Sequence, residues 1–117
     1  MVVYESYSLN CKTLALNLNP DAESVIGLTI DEPVLLITPT MGRGAIGRHT
    51  NYFLKQYNHL VKGIVVSGDA SYKDLAWKAA DIITKRYPHI ELILKIEKQG
   101  TTEDFNKIQE WYHKHFK

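Results

Sequence analysis

PVLLITPTMGRGAIG, residues 33–47, decides how the rest of the chain is read. Its first part, Val34-Leu35-Leu36-Ile37, is a continuous apolar run, the mark of a strand buried on both faces of a parallel sheet. Its second part holds a literal G-x-G-x-x-G, Gly42-Arg43-Gly44-Ala45-Ile46-Gly47. In dinucleotide-binding folds that string closes the first strand and lays a pyrophosphate on a helix N-terminus. Here Thr38-Pro39-Thr40-Met41 separates the apolar run from Gly42, so the first glycine comes too late to close the strand. The run is also the third strand-like segment, not the first. Asp69, after the next apolar run, stands where an acid can bind a ribose, yet too little chain remains for a second nucleotide-binding half. The alternative is a flexible loop whose glycines supply positive φ.

Outward from this stretch, strands and helices alternate. Val2-Val3-Tyr4 reads as a short strand, and residues 12–18 as a helix stopped by Pro20 and Asp21. Val25 to Ile30 reads as a second strand, interrupted by Gly27. Residues 48–60 carry Tyr52, Phe53, Tyr57 and Leu60 at helical spacing. Gly63-Ile64-Val65-Val66 is a further buried strand. Residues 74–87 read as a helix ended by Pro88, and Ile90 to Ile96 as a strand. A last amphipathic helix follows Gly100, with Glu103 and Asp104 in its first turn and Phe105, Ile108, Trp111, Tyr112 and Phe116 on its apolar face. No repeat or linker interrupts the pattern, so one α/β domain over residues 1–117 is expected. Its sheet is parallel, of order 2-1-3-4-5, with helices on both faces. Such sheets bind ligands outside the carboxyl ends of their strands. Three loops fall at that edge: 6–10, 38–47 and 67–74.

Composition narrows the function. The chain has 117 residues, 44% of them hydrophobic, and a net charge of +1 from 14 basic and 13 acidic side chains. That balance argues against a dedicated nucleic-acid binder. No apolar stretch approaches the ~18 residues of a membrane span, and the N-terminus lacks a signal-peptide pattern, so a soluble cytoplasmic protein is expected. The single cysteine, Cys11, allows no intramolecular disulfide; near the first helix start it reads as a plain packed or surface thiol in preference to a redox group. The five histidines (49, 59, 89, 113 and 115) show no metal-ligand spacing and read as surface residues. No metal site is expected.

Read locally, each loop has two meanings. Ser6-Tyr7-Ser8-Leu9-Asn10 offers hydroxyls and a helix N-terminus to a phosphate, or only caps that helix. Ser67-Gly68-Asp69-Ala70-Ser71-Tyr72-Lys73-Asp74 offers an aromatic for stacking on a flat ligand, or a surface turn.

Taken together the loops form one ordered set: Ser6-Tyr7-Ser8-Leu9-Asn10, then Thr38-Pro39-Thr40-Met41-Gly42-Arg43-Gly44, then Gly63-Ile64-Val65-Val66-Ser67-Gly68-Asp69 followed by Tyr72 and Ala79-Ala80-Asp81, and last Lys95-Ile96-Glu97-Lys98-Gln99-Gly100-Thr101-Thr102-Glu103-Asp104. Through these the chain resembles, over nearly its whole length, the NrdI family of small flavodoxin-like FMN proteins associated with class Ib ribonucleotide reductase. The resemblance implies a flavodoxin-like three-layer sandwich with FMN as cofactor. It implies that Ser6, Tyr7, Ser8, Leu9 and Asn10 surround the phosphate. It also implies that Pro39, Thr40, Met41, Gly42, Arg43 and Gly44, together with Ser67, Gly68, Asp69, Tyr72 and Lys73, flank the flavin ring, with Tyr72 stacked on it. The implied partners are a cellular flavodoxin-type reductant and the reductase small subunit, whose dimanganese–tyrosyl radical site is assembled with an oxidant formed from reduced flavin and O2. The protein is then an accessory flavoprotein rather than a substrate-turnover enzyme.

Three departures from the family pattern bear on the cofactor. Leu9 replaces a glycine that tolerates positive φ, Asp69 replaces an asparagine, and Lys73 replaces a glycine that lets the loop move. Two other functions stay open beside the first: a generic flavodoxin electron shuttle, and a flavin-free interaction module that keeps the fold. Arg43, Arg48 and Lys73 are expected near the flavin edge, with Arg43 and Lys73 raising its potential by favouring the more negatively charged reduced form.

Overall fold

The computed structural model describes residues 1–116. Strand β1 (Val2–Tyr4) leads into helix α1 (Asn10–Leu18), followed by the two-residue strand β2 (Glu23–Ser24) and the long β3 (Val34–Met41). A short β4 (Ala45–Ile46) precedes α2 (Arg48–Tyr57), then come β5 (Val61–Gly68), a 3₁₀ segment (Ala70–Leu75), α3 (Lys78–Arg86), β6 (Glu91–Glu97) and α4 (Thr102–Phe116). The sheet runs β2-β1-β3-β5-β6 with every pairing along that path parallel. This is the expected 2-1-3-4-5 order. The renumbering comes from β4, which folds back antiparallel on the end of β3.

Strand side chains alternate between the two faces, and both faces are covered. Val2, Leu35, Ile37, Val65 and Ile96 pack against Leu14 and Ala15 of α1 and Ile108 and Tyr112 of α4. Val3, Leu36, Ile64 and Val66 pack against Phe53 and Leu54 of α2 and Ala79, Ala80 and Ile83 of α3. Apolar residues on both faces are what turned 34–37 and 63–66 into uninterrupted apolar runs. A reciprocal cap starts α4: the Asp104 N–H donates to Thr101 Oγ1 (3.0 Å) and the Thr101 N–H to Asp104 Oδ2 (3.0 Å).

Two expected elements differ. No strand forms over 25–30; the short strand here is Glu23–Ser24, just before them, and the chain then turns at Gly27 (φ 67°) while Val25 and Ile30 still reach the core. The helix expected over 74–87 begins only at Lys78, after a kink at Lys73.

The sharpest tertiary constraint is Glu5, whose side chain is 1% exposed. Helix α2 has Gly47 at its N-cap and no side-chain cap of its own. Glu5 supplies one from a distance: its carboxylate accepts from the His49 N–H (3.0 Å) and the Thr50 N–H (2.9 Å). A Cβ at Gly47 would fall on that carboxylate. Gly47→Ala is therefore expected to cost about 1–3 kcal/mol in chemical denaturation, and clearly less when Glu5 is also Ala. Equal costs in both backgrounds would rule out this contact as the reason for the glycine.

Candidate functional site

The carboxyl ends of β1, β3 and β5 open on one cavity of about 290 Å³. Ser8 and Asn10 line it from the first loop, Pro39, Thr40 and Gly42 from the second, and Ser67, Gly68, Asp69 and Tyr72 from the third. Leu75, Ala76 and Lys98 complete the wall and were not expected from the sequence. The signal for Lys98 lay in the 95–104 motif, which places it beside the third loop.

The first loop ends at the open N-terminus of α1. No side chain caps this helix, so its first-turn N–H groups are free for a ligand. Asn10 Nδ2 donates to Ser8 Oγ (3.0 Å). Two buried hydroxyls at this edge, Ser6 Oγ and Thr40 Oγ1, have no hydrogen-bond partner. Buried polar groups are normally paired, so these two suit the oxygens of a bound anion. Leu9 sits at the N-cap with φ 68°, ψ −9° and a largely exposed side chain. The left-handed backbone expected of a glycine is thus kept by a leucine, at a cost on the order of 1 kcal/mol. Tyr7 is exposed beside Glu5 and Arg48; partial burial first, then the Glu5 carboxylate, raises its hydroxyl pKa.

The G-x-G-x-x-G string is a β-hairpin, not a nucleotide turn. Thr40 pairs with Ile46 and Met41 with Ala45, and the Gly44 N–H donates to the Met41 carbonyl (2.9 Å) across the turn. Gly44 takes φ 89°, and a side chain there would collide with Lys78 of α3. Gly44 therefore packs on α3, away from the cavity. Arg43 is exposed and, like Met41, contributes nothing to the cavity wall.

The third loop is tied to the β6–α4 connection. Ser67 Oγ donates to the Lys98 carbonyl, the Lys98 N–H to the Gly68 carbonyl (2.8 Å), and the Ala70 N–H to Glu97 Oε2 (3.0 Å). Asp69 Oδ1 accepts from the Ser71 N–H (2.9 Å) and Ser71 Oγ (2.7 Å), and these two bonds hold its carboxyl below the usual range. Tyr72 stands 57% exposed at the rim. Lys73, at φ 54°, ψ −120°, is exposed and outside the wall, so it too keeps a positive φ without being glycine.

Four histidines are exposed and His49 is half-buried on α2. Among the described residues no group of acidic, histidine or cysteine side chains could hold a metal, and no helix is long and apolar enough to cross a membrane. Cys11 is buried at the start of α1, and desolvation, aided by Glu5, pushes its thiol up to about 12, well above the usual thiol range.

The parallel sheet and its edge cavity define a flavodoxin-like protein. Two solved structures share the fold. A short-chain flavodoxin associated with a non-canonical PDU bacterial microcompartment has a TM-score of 0.76 at 16% identity, covering 96% of this chain and 92% of that one. Oxidised flavodoxin 1 from Bacillus cereus has 0.73 at 16% identity, covering 99% and 97%. The family model described as NrdI flavodoxin-like matches residues 2–110. Protein NrdI of Deinococcus radiodurans is 30% identical over 114 residues, 94% of this chain and 80% of its own length. The SPbeta prophage-derived NrdI of Bacillus subtilis is 30% identical over 112 residues, 92% and 86%. The chain belongs to the NrdI flavodoxin-like family.

The strained backbone of Leu9 and the buried thiol of Cys11 each give a testable outcome. Leu9→Gly should raise stability by about 0.5–1 kcal/mol in thermal melts, since the strain relieved exceeds the entropy glycine adds to the unfolded chain; a loss would contradict the strained backbone. The folded Cys11 thiol keeps a proton that the unfolded chain releases, so its contribution to stability falls as pH rises from about 9 toward 12. Melts at pH 7 and 10.5 should show an alkaline loss larger by roughly 1–2 kcal/mol in the native protein than in Cys11→Ala, whereas identical losses would show that burial does not govern the thiol.

Proposed function

We propose that this protein binds FMN in the edge cavity and serves a class Ib ribonucleotide reductase in the cytoplasm. In this role it delivers electrons, and the oxidant they generate from O2, to the small subunit that assembles a dimanganese–tyrosyl radical site. A cellular flavodoxin-type protein is its reductant. Bound FMN supplies the redox chemistry itself; the protein supplies binding, orientation and electrostatics. Membership of the family supports the system. The observation that carries the cofactor is the pair of unpartnered buried hydroxyls, Ser6 and Thr40, beside the open N-terminus of α1.

Each residue group has a distinct task. Ser6, Ser8 and Asn10, with the first-turn N–H groups of α1, hold the phosphate dianion. The helix end adds a favourable dipole and no lysine is required. Pro39, Thr40 and Gly42 on one side and Gly68 and Asp69 on the other bracket the flat ring. Tyr72 supplies a π-face at the solvent edge. Asp69 is committed to Ser71, so it presets the third loop and brings a negative charge to the site.

Titrating cofactor-free protein with FMN and with riboflavin, which lacks the phosphate, tests this reading. FMN should bind with quenched flavin fluorescence, and riboflavin about 10–100-fold more weakly, the difference expected for one or two hydrogen bonds to a charged group. Ser6→Ala should narrow the gap by weakening FMN alone. A protein that binds neither flavin, or both equally, overturns the assignment.

A further inference from the structure

We propose that Lys98 is the cation that sets the electrostatic potential of the cofactor cavity and offsets Asp69. The proposal rests on the FMN reading above and adds to it a residue that determines the cofactor's redox balance. The basic residues of the loops themselves, Arg43 and Lys73, are the ones the sequence pattern favours for this task. The structure places neither in the wall. Among the residues that line the cavity, Asp69 and Lys98 are the two that carry charge.

Four observations carry the assignment. The Lys98 backbone is held from both sides, its N–H donating to the Gly68 carbonyl (2.8 Å) and its carbonyl accepting from Ser67 Oγ. The backbone that carries the side chain is thereby tied to the third loop. Its ammonium makes no ion pair with any described residue, so its charge is not cancelled by contact. Asp69 spends its hydrogen bonds on Ser71 and stays unneutralised in the same cavity, where the Lys98 charge helps to keep it ionised. Lys98 also adopts φ 53°, a backbone position better suited to glycine. A charged side chain is thus present where the fold alone favours none.

The physical consequence has a definite sign. Reduction makes the cofactor more negative, and a cation at the cavity wall stabilises that state more than the oxidised one. Lys98 raises the midpoint potential and Asp69 lowers it. The effect acts through space on the ring, so charge matters and side-chain shape does not.

The test is a set of Lys98→Gln, Lys98→Arg, Lys98→Gly and Asp69→Asn variants. Midpoint potentials are measured by spectroelectrochemistry, and the Asp69 carboxyl is titrated by carbon-13 NMR in the cofactor-free protein. Lys98→Gln should weaken the preference for reduced over oxidised FMN by about three- to tenfold, tenfold being ~59 mV per electron. Lys98→Gly, which suits the positive φ, should do the same, Lys98→Arg should retain the native potential, and Asp69→Asn should shift it the opposite way. Arg43→Gln and Lys73→Gln should each shift it less than Lys98→Gln. Without cofactor, Lys98→Gln should raise the Asp69 titration and Lys98→Arg should not. The proposal is overturned if Lys98→Gln and Lys98→Gly leave both readouts unmoved, or if Arg43→Gln or Lys73→Gln shifts the potential more. Should the protein bind no FMN, the cofactor assignment fails separately, and the Asp69 titration still decides whether the Lys98 charge governs the cavity.

Discussion

Helices α1 and α2 begin at the same edge of the sheet without a capping side chain of their own, and Glu5 serves only α2. Its buried carboxylate accepts the His49 and Thr50 N–H groups and so fills the N-terminus of α2. A buried carboxylate is tolerable only when it is hydrogen-bonded this well, and a helix N-terminus is a good place for one. The same contact joins the end of β1 to the start of α2 and reserves the space at Gly47. Helix α1 receives no such internal anion. Its open first turn, flanked by the unpaired hydroxyls of Ser6 and Thr40, leaves room at this edge for an external one.

The rest of the fold holds that edge in place. Apolar side chains on both faces of β3 and β5 fix the height of the loops that follow them. Cross-links from the β6–α4 connection then stiffen the third loop, and Trp77 Nε1 donates to the Ile96 carbonyl (2.7 Å), joining the start of α3 to β6. Rigid strands beneath short loops are the usual way a scaffold presents binding groups. An exposed Tyr72 on such a support is positioned for stacking without having to be buried first.

Much of this was legible in the sequence because it follows from local rules. Burial on both faces gave unbroken apolar runs at 34–37 and 63–66, alternation of strands and helices gave the sheet order, and the first turn of α4 announced its cap at residues 101–104. What escaped depends on contacts distant in sequence. Glu5 sits among polar loop residues and looks solvated; its burial comes from residues 49 and 50, far along the chain. The glycines at 44 and 47 resemble a phosphate loop because both jobs need backbone free of side chains, yet here Lys78 and Glu5 occupy the space. Leu9 and Lys73 show the limit of substitution arguments: both keep a positive φ after the glycine is gone. Lys98 lies in the 95–104 motif, but its place in the cavity wall comes from backbone bonds to Ser67 and Gly68, some thirty residues earlier.

The central claim is that α1, and not the glycine-bearing hairpin before α2, receives the phosphate. Amide chemical shifts recorded as FMN is added to nitrogen-15-labelled protein test it most directly. The account predicts large shifts for the Asn10, Cys11 and Lys12 amides, with the His49 and Thr50 amides staying on Glu5 and barely moving. Large shifts at His49 and Thr50 or across Gly44–Gly47, with Asn10–Lys12 unchanged, would contradict it.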